Sequence, residues 1–186
     1  MRFELLQQDD NSRLGKLQFL RGEIHTPVFM PVGTYGTVKT MSPEDLDNLG
    51  AEIILSNTYH LMIRPGEEVI SSHQGLHQFM AWDRPILTDS GGYQIWSLSK
   101  KRTINDDFVE FDSPVNGDMI RLTPEIAMRI QKNLGSDIQM VLDECTHYPA
   151  TKEEAYVSMK RSETVSYTHL RAHETDSYLV CRLLLE

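Results

Sequence analysis

Three apolar runs, each ending in a cluster of polar residues, constrain the fold of this chain more than any other feature. Ala51-Glu52-Ile53-Ile54-Leu55-Ser56 leads into Asn57-Thr58-Tyr59-His60, and Pro85-Ile86-Leu87 leads into Thr88-Asp89-Ser90-Gly91-Gly92-Tyr93-Gln94. Asp137-Ile138-Gln139-Met140-Val141-Leu142 leads into Asp143-Glu144-Cys145. Runs this short and this apolar read as buried strands. Helix signals lie between them, so the chain reads as α/β with parallel βαβ units. Successive parallel strands deliver their ends to one side, and in an α/β barrel that side carries the active site. The second run is the richest. An acid, Asp89, stands at the strand end. Gly91 and Gly92 allow close backbone approach to a ligand, and Tyr93 supplies a ring to cover it.

The rest of the chain fits this frame. Residues 3–7, 16–20 and 23–30 alternate or run apolar between turn signals and predict an N-terminal antiparallel β-sheet. Ser42-Pro43-Glu44-Asp45 is a helix start, with a capping serine and proline at the first helical position; Gly50 ends that helix. A second helix is predicted over 66–73 with Gly75 as its stop. Residues 108–112 and 118–122 predict a β-hairpin with Asn116-Gly117 as the turn signal. Thr123-Pro124-Glu125 opens a helix closed by Gly135, and Thr151-Lys152-Glu153-Glu154 is a capping box for another. Only three barrel strands are countable, whereas a closed eight-stranded barrel takes roughly 250 residues. The expected fold is therefore a partial (β/α)8 TIM barrel preceded by an antiparallel sheet.

Composition sets bounds on function. The 186 residues are 40% apolar, enough for a real core. No stretch reaches membrane-span length and no signal peptide opens the chain, so a cytoplasmic protein with no membrane partner is expected. Two cysteines give no disulfide framework. A formal charge of −9 argues mildly against nucleic-acid binding over the surface as a whole. Phosphate contacts would need a local basic patch or further protein. His73 and His77 are four apart, but Gly75 between them argues against one helix presenting both to a metal. Asp89 reads equally as a cap for the glycine turn, Asp143 as a strand-end acid, Tyr93 as a core ring, and Cys145 as a small buried hydrophobe.

At these same residues the chain resembles the bacterial tRNA-guanine transglycosylases, also called queuine tRNA-ribosyltransferases. The likeness is carried by the segment from Thr26-Pro27-Val28-Phe29-Met30-Pro31-Val32-Gly33-Thr34-Tyr35-Gly36-Thr37-Val38-Lys39, by Asn57-Thr58-Tyr59-His60-Leu61, by Arg64-Pro65-Gly66, by residues 87–94 and by Asp143-Glu144-Cys145-Thr146. It runs from Met1 to about residue 164. The family exchanges a guanine in the tRNA anticodon for a 7-deazaguanine without breaking the phosphodiester backbone.

That chemistry needs a nucleophile for the sugar carbon, proton transfer at the departing and arriving bases, and a pocket that reads the purine edge. The resemblance implies Asp89 as the proton-transfer residue and Asp143 as acceptor for the purine's donors. It implies Tyr93 as the stacking ring, with Ser90, Gly91 and Gly92 as the pocket floor. Asn57 would orient Asp89 from the neighbouring strand, Cys145 would line the pocket wall, and Glu144 is left unassigned. The substrates implied are tRNA, guanine and 7-aminomethyl-7-deazaguanine, and the full-length enzyme is expected to be a homodimer that carries zinc. The zinc ligands and the nucleophilic aspartate of the family lie beyond residue 164, so no metal or cofactor is expected in this stretch, and the chain as it stands is expected to be inactive. The alternative is a non-catalytic relative serving as an RNA-binding or dimerisation module.

Two regions are thus expected: residues 1–164, the N-terminal part of the barrel, and residues 165–186. Val165-Ser166-Tyr167-Thr168-His169-Leu170-Arg171-Ala172-His173-Glu174-Thr175 resembles a translated sequencing-library adapter, and residues 179–186 resemble its far end. This tail is expected to be foreign to the core and weakly docked, with local helix around 181–185.

Overall fold

The three apolar runs pair with one another in parallel. In the computed structural model, which describes residues 1–99 and 101–173, the chain is mixed α/β. It opens with strands β1 (Arg2–Asp9), β2 (Ser12–Phe19) and β3 (Gly22–Thr26), an antiparallel sheet in that order. Ile24 of β3 is buried against Ile53 and Ile138, which ties this sheet to the parallel one. Helix α1 (Pro43–Asn48) begins as its sequence predicts: Ser42 Oγ accepts the Asp45 amide at 3.1 Å, and Asp45 Oδ2 accepts the Ser42 amide at 2.8 Å.

Strand β4 (Ile54–Ser56) is followed by three short helices, α2 (Thr58–Ile63), α3 (Glu67–Ser72) and α4 (Leu76–Met80). Strand β5 (Ile86–Thr88) leads into α5 (Gly92–Leu98). The next sheet, β6 (Arg102–Ile104), β7 (Val109–Asp112) and β8 (Met119–Leu122), is antiparallel in that order. It contains the expected hairpin and one more strand, β6, whose three exposed residues carry no alternation to read. Helix α6 (Pro124–Leu134), strand β9 (Ile138–Gln139) and helix α7 (Lys152–His173) complete the described chain.

The parallel sheet has the order β4-β5-β9, with Ile54 opposite Ile86, Leu87 opposite Ile138, and Ser56 level with Thr88. The third run was expected to continue to Leu142, but the ladder stops at Gln139 with one further bond, Met140 N–H to the Thr88 carbonyl at 3.3 Å. Gln131 of α6 is the cause. Its Oε1 accepts the Met140 amide at 2.9 Å and its Nε2 donates to the Met140 carbonyl at 2.8 Å. A side-chain amide thereby satisfies the backbone groups that a longer strand would have paired.

The opposite end of the sheet is pinned by Asp137. Its Oδ2 accepts the Ile86 amide at 2.9 Å and meets His77 Nε2 at 2.9 Å. His77 is thus buried on one partner, while His73 Nδ1 meets the Val69 carbonyl at 2.8 Å. The two histidines serve different contacts. Among the described residues no group of three His, Cys, Asp or Glu side chains is placed to hold a metal ion. Nor, among the described residues, is any helix long and apolar enough to cross a membrane. Helix α7 runs without a break across the expected boundary at residue 164; residues 174–186, including the segment 181–185 expected to be helical, lie outside the described residues.

Candidate active site

The polar clusters meet at the C-terminal end of the parallel sheet. Asp89 follows β5 directly, and its amide bonds the Ser56 carbonyl of β4 at 3.2 Å. Its carboxylate is then surrounded by donors. Oδ2 accepts Asn57 Nδ2 at 2.5 Å and Gln94 Nε2 at 2.9 Å, while Oδ1 accepts the Thr58 amide at 2.8 Å. Thr58 Oγ1 donates to the Asp89 carbonyl at 2.6 Å. The start of α2 and the first turn of α5 therefore fix both the rotamer and the acceptor geometry of this acid. Asn57 occupies the orienting position expected of it. Thr58 and Gln94 were not singled out in the sequence, because a threonine at a helix start and a glutamine on a short helix look like ordinary caps and solvated polar residues. Gln94 Oε1 is buried and has no hydrogen-bond partner among the described residues, which leaves an acceptor beside Asp89.

Asp143 reaches the same turn from the third run. Its Oδ1 accepts Ser90 Oγ at 2.7 Å, and Ser90 Oγ also accepts the Gly92 amide at 3.2 Å. Asp89 and Asp143 thus stand on either side of Ser90. Asp89 is half-buried and Asp143 exposed. Gly91 takes φ +87° at the start of α5, a left-handed conformation suited to glycine. Gly92 lies against the Asp143 backbone so closely that any Cβ would overlap the Asp143 carbonyl. The sequence marks these two glycines for close approach to a ligand; the groups that approach them in the structure are Tyr59 at Gly91 and the Asp143 backbone at Gly92.

Tyr93 is 58% exposed, and its ring centroid lies 5.8 Å from that of Trp96. It lies on the first turn of α5, turned to solvent. His60 was quoted in the sequence without a role; its ring lies 4.8 Å from that of Tyr35, between centroids. Burial pushes its imidazole below the ordinary value, and the charge of Asp89 offsets part of that shift.

An apolar cavity opens behind Asp143, bounded by Ile95, Trp96, Phe108, Leu142, Cys145 and Val165. Asp143 belongs to its wall, and Asp89 does not. Cys145 is half-buried there. Burial pushes its thiol above the ordinary value, and the charges of Asp143 and Glu144 push it further. A thiol so placed is a poor nucleophile near neutrality. Alkylation of the Cys145-bearing peptide, followed by mass spectrometry, is expected to accelerate with pH and to level off only above the range of an ordinary cysteine thiol. Fast labelling at neutral pH would refute that assignment. Glu144 forms an ion pair with Arg161 at 3.0 Å, which settles the partner the sequence left open.

A family described as Queuine tRNA-ribosyltransferase matches residues 9–182. The queuine tRNA-ribosyltransferase of Thioalkalivibrio sulfidiphilus is 59% identical over 162 residues, which are 87% of this chain and 44% of that protein. The Thiobacillus denitrificans protein of the same name is 57% identical over 162 residues, with the same coverage of both chains. One from Francisella tularensis subsp. holarctica is 53% identical over 173 residues, or 93% of this chain and 47% of that protein. The chain spans less than half the length of these relatives, yet the match covers most of the chain and all of the residues at the strand ends: it belongs to the queuine tRNA-ribosyltransferase family.

Proposed function

We propose that this chain carries the base-recognition part of a tRNA-guanine transglycosylase, a pentosyltransferase that exchanges guanine at the anticodon wobble position for 7-aminomethyl-7-deazaguanine in queuosine biosynthesis. The observation that carries the reading is the meeting of Asp89 and Asp143 about Ser90 at one end of a parallel sheet. In this reading Asp89, held by Asn57, Thr58 and Gln94, transfers the proton at the reacting base. Asp143 is exposed and has a second oxygen to offer, so it accepts from the ring N–H and amino group of guanine. Ser90, Gly91 and Gly92 shape the floor. Tyr93 stacks on the base after turning in from its solvent-facing position, a rearrangement its exposure permits. The parallel sheet is the opening arc of a (β/α)8 barrel, and residues 165–186 are a foreign tail. The remaining half of a full-length protein supplies the sugar nucleophile, the zinc and the homodimer contacts, and the enzyme works in the cytoplasm on tRNA.

The test uses the base alone. Titration of this chain with guanine, followed by NMR, is expected to shift the amides around Ser90 and Asp143. Asp143→Asn turns an acceptor partly into a donor and is expected to weaken binding about 10- to 100-fold, the loss of a hydrogen bond to a charged group. Equal binding by the variant would refute the reading of Asp143. A module that serves only RNA binding or dimerisation would show no response to free guanine.

A further inference from the structure

We propose that Arg161 is a positioning residue for Asp143, acting through Glu144. This rests on the reading of Asp143 as the group that accepts from the purine. After Gln139 the chain leaves the sheet, and residues 140–147 belong to no helix or strand. Their position must therefore come from side-chain contacts, and those contacts converge on Glu144. Its amide donates to Ser162 Oγ at 3.0 Å, and its carbonyl accepts Ser158 Oγ at 3.1 Å. Its carboxylate accepts Arg161 Nη1 at 3.0 and 3.3 Å. Residues 158, 161 and 162 are spaced to share one face of α7. That face holds Glu144 by its amide, its carbonyl and its carboxylate.

Arg161 does more than pair with Glu144. Its Nε donates to Asp106 Oδ1 at 2.7 Å, so it also reaches the turn between β6 and β7. A guanidinium fork can serve two carboxylates in fixed directions at once, which a lysine ammonium cannot. Asp143 is thus held between two supports. On one side Ser90 and the bare face of Gly92 receive it, and on the other its neighbour Glu144 is anchored to α7. The pair is partly exposed, at 33% and 20% for Arg161 and Glu144. Ion pairs of that kind contribute little to overall stability. What this one fixes is direction: a carboxylate that must meet two donors of a planar base tolerates little displacement.

The experiment compares guanine with hypoxanthine, which lacks the exocyclic amino group that Asp143 would accept. Partial unfolding scales the apparent affinity for both bases equally, so their ratio reports only the placement of the acceptor. In this chain Arg161→Met is expected to reduce the guanine preference about fivefold or more, with Arg161→Lys recovering less than half of it. Hydrogen exchange at the Glu144 amide is expected to speed up in parallel. Glu144→Gln keeps the side chain's shape and is expected to reduce the preference in the same direction, which guards against a misfolded arginine variant. An unchanged preference in both Arg161→Met and Glu144→Gln overturns the inference alone. A wild-type chain that binds both bases equally overturns the underlying role of Asp143 and the inference with it.

Discussion

Asp89→Asn is expected to reduce base exchange about 10²- to 10⁴-fold when introduced into a full-length family member, the usual loss for a positioned proton-transfer group. The structure adds a second effect that can be read in the present chain without any assay of activity. Among the described residues the Asp89 carboxylate is met by donors: Asn57 and Gln94 on Oδ2, and the Thr58 amide on Oδ1. An asparagine must place its own amide against one of these groups, whichever way it turns. A half-buried donor facing a donor costs about 1–3 kcal/mol, and for a chain of this length each kcal/mol lowers the melting temperature by roughly 2–4 °C. Calorimetry should therefore show a loss of several degrees. If guanine incorporation and melting temperature both stay at wild-type values, the role of Asp89 is wrong.

Gly92→Ala is expected to be the most damaging one-carbon change at the site. The added Cβ would overlap the Asp143 carbonyl and approach Asp143 Oδ1 to 2.8 Å. The first obstacle is backbone, which cannot rotate away as a flexible side chain does. Either α5 or the 140–147 loop has to move, and overpacking of this kind costs about 1–3 kcal/mol. The Ser90–Asp143 hydrogen bond is the contact most exposed to that shift. Guanine affinity is expected to fall about tenfold or more, as for loss of a bond to a charged acceptor. An alanine variant that binds guanine and melts like the wild type would show that the strand ends are not packed as closely as described.

The features legible in the sequence were those whose causes are local. Ser42 and Pro43 start α1, Thr123 and Pro124 start α6, and the apolar runs at 54–56 and 86–88 form the parallel strands, because each signal lies within a few residues of its effect. The resemblance supplied Asp89 and Asp143, and Asn57 stood where its neighbouring strand implied. Helices α2, α4 and α5 are too short to establish a helical period, and their N-caps Asn57, Gly75 and Gly91 make no side-chain cap bond, whereas the equally short α1 and α3 are marked by flanking cap and stop residues. The partners Gln94, Gln131 and Arg161 escaped for another reason. Each acts across a gap that only the folded chain closes: Gln131 reaches nine residues forward to Met140, and Arg161 reaches seventeen residues back to Glu144 and fifty-five to Asp106. In a sequence, such residues resemble solvated surface. Tyr93 illustrates the limit from the other side: its motif marks it for a ligand, but its orientation toward Trp96 and solvent is a property of the helix that carries it.

The grip of Gln131 on Met140 makes the length of a strand the property of a residue outside it. A sheet normally ends where its own sequence stops alternating or meets a turn. Here the apolar sequence continues through Leu142, and the pleat would continue with it, alternating side chains from face to face as far as Asp143. Instead an amide borrowed from a helix meets the chain at Met140, and the acid reaches Ser90 from a loop. Placement of the acid thereby depends on Gln131 of α6 as well as on the register of β9 against β5.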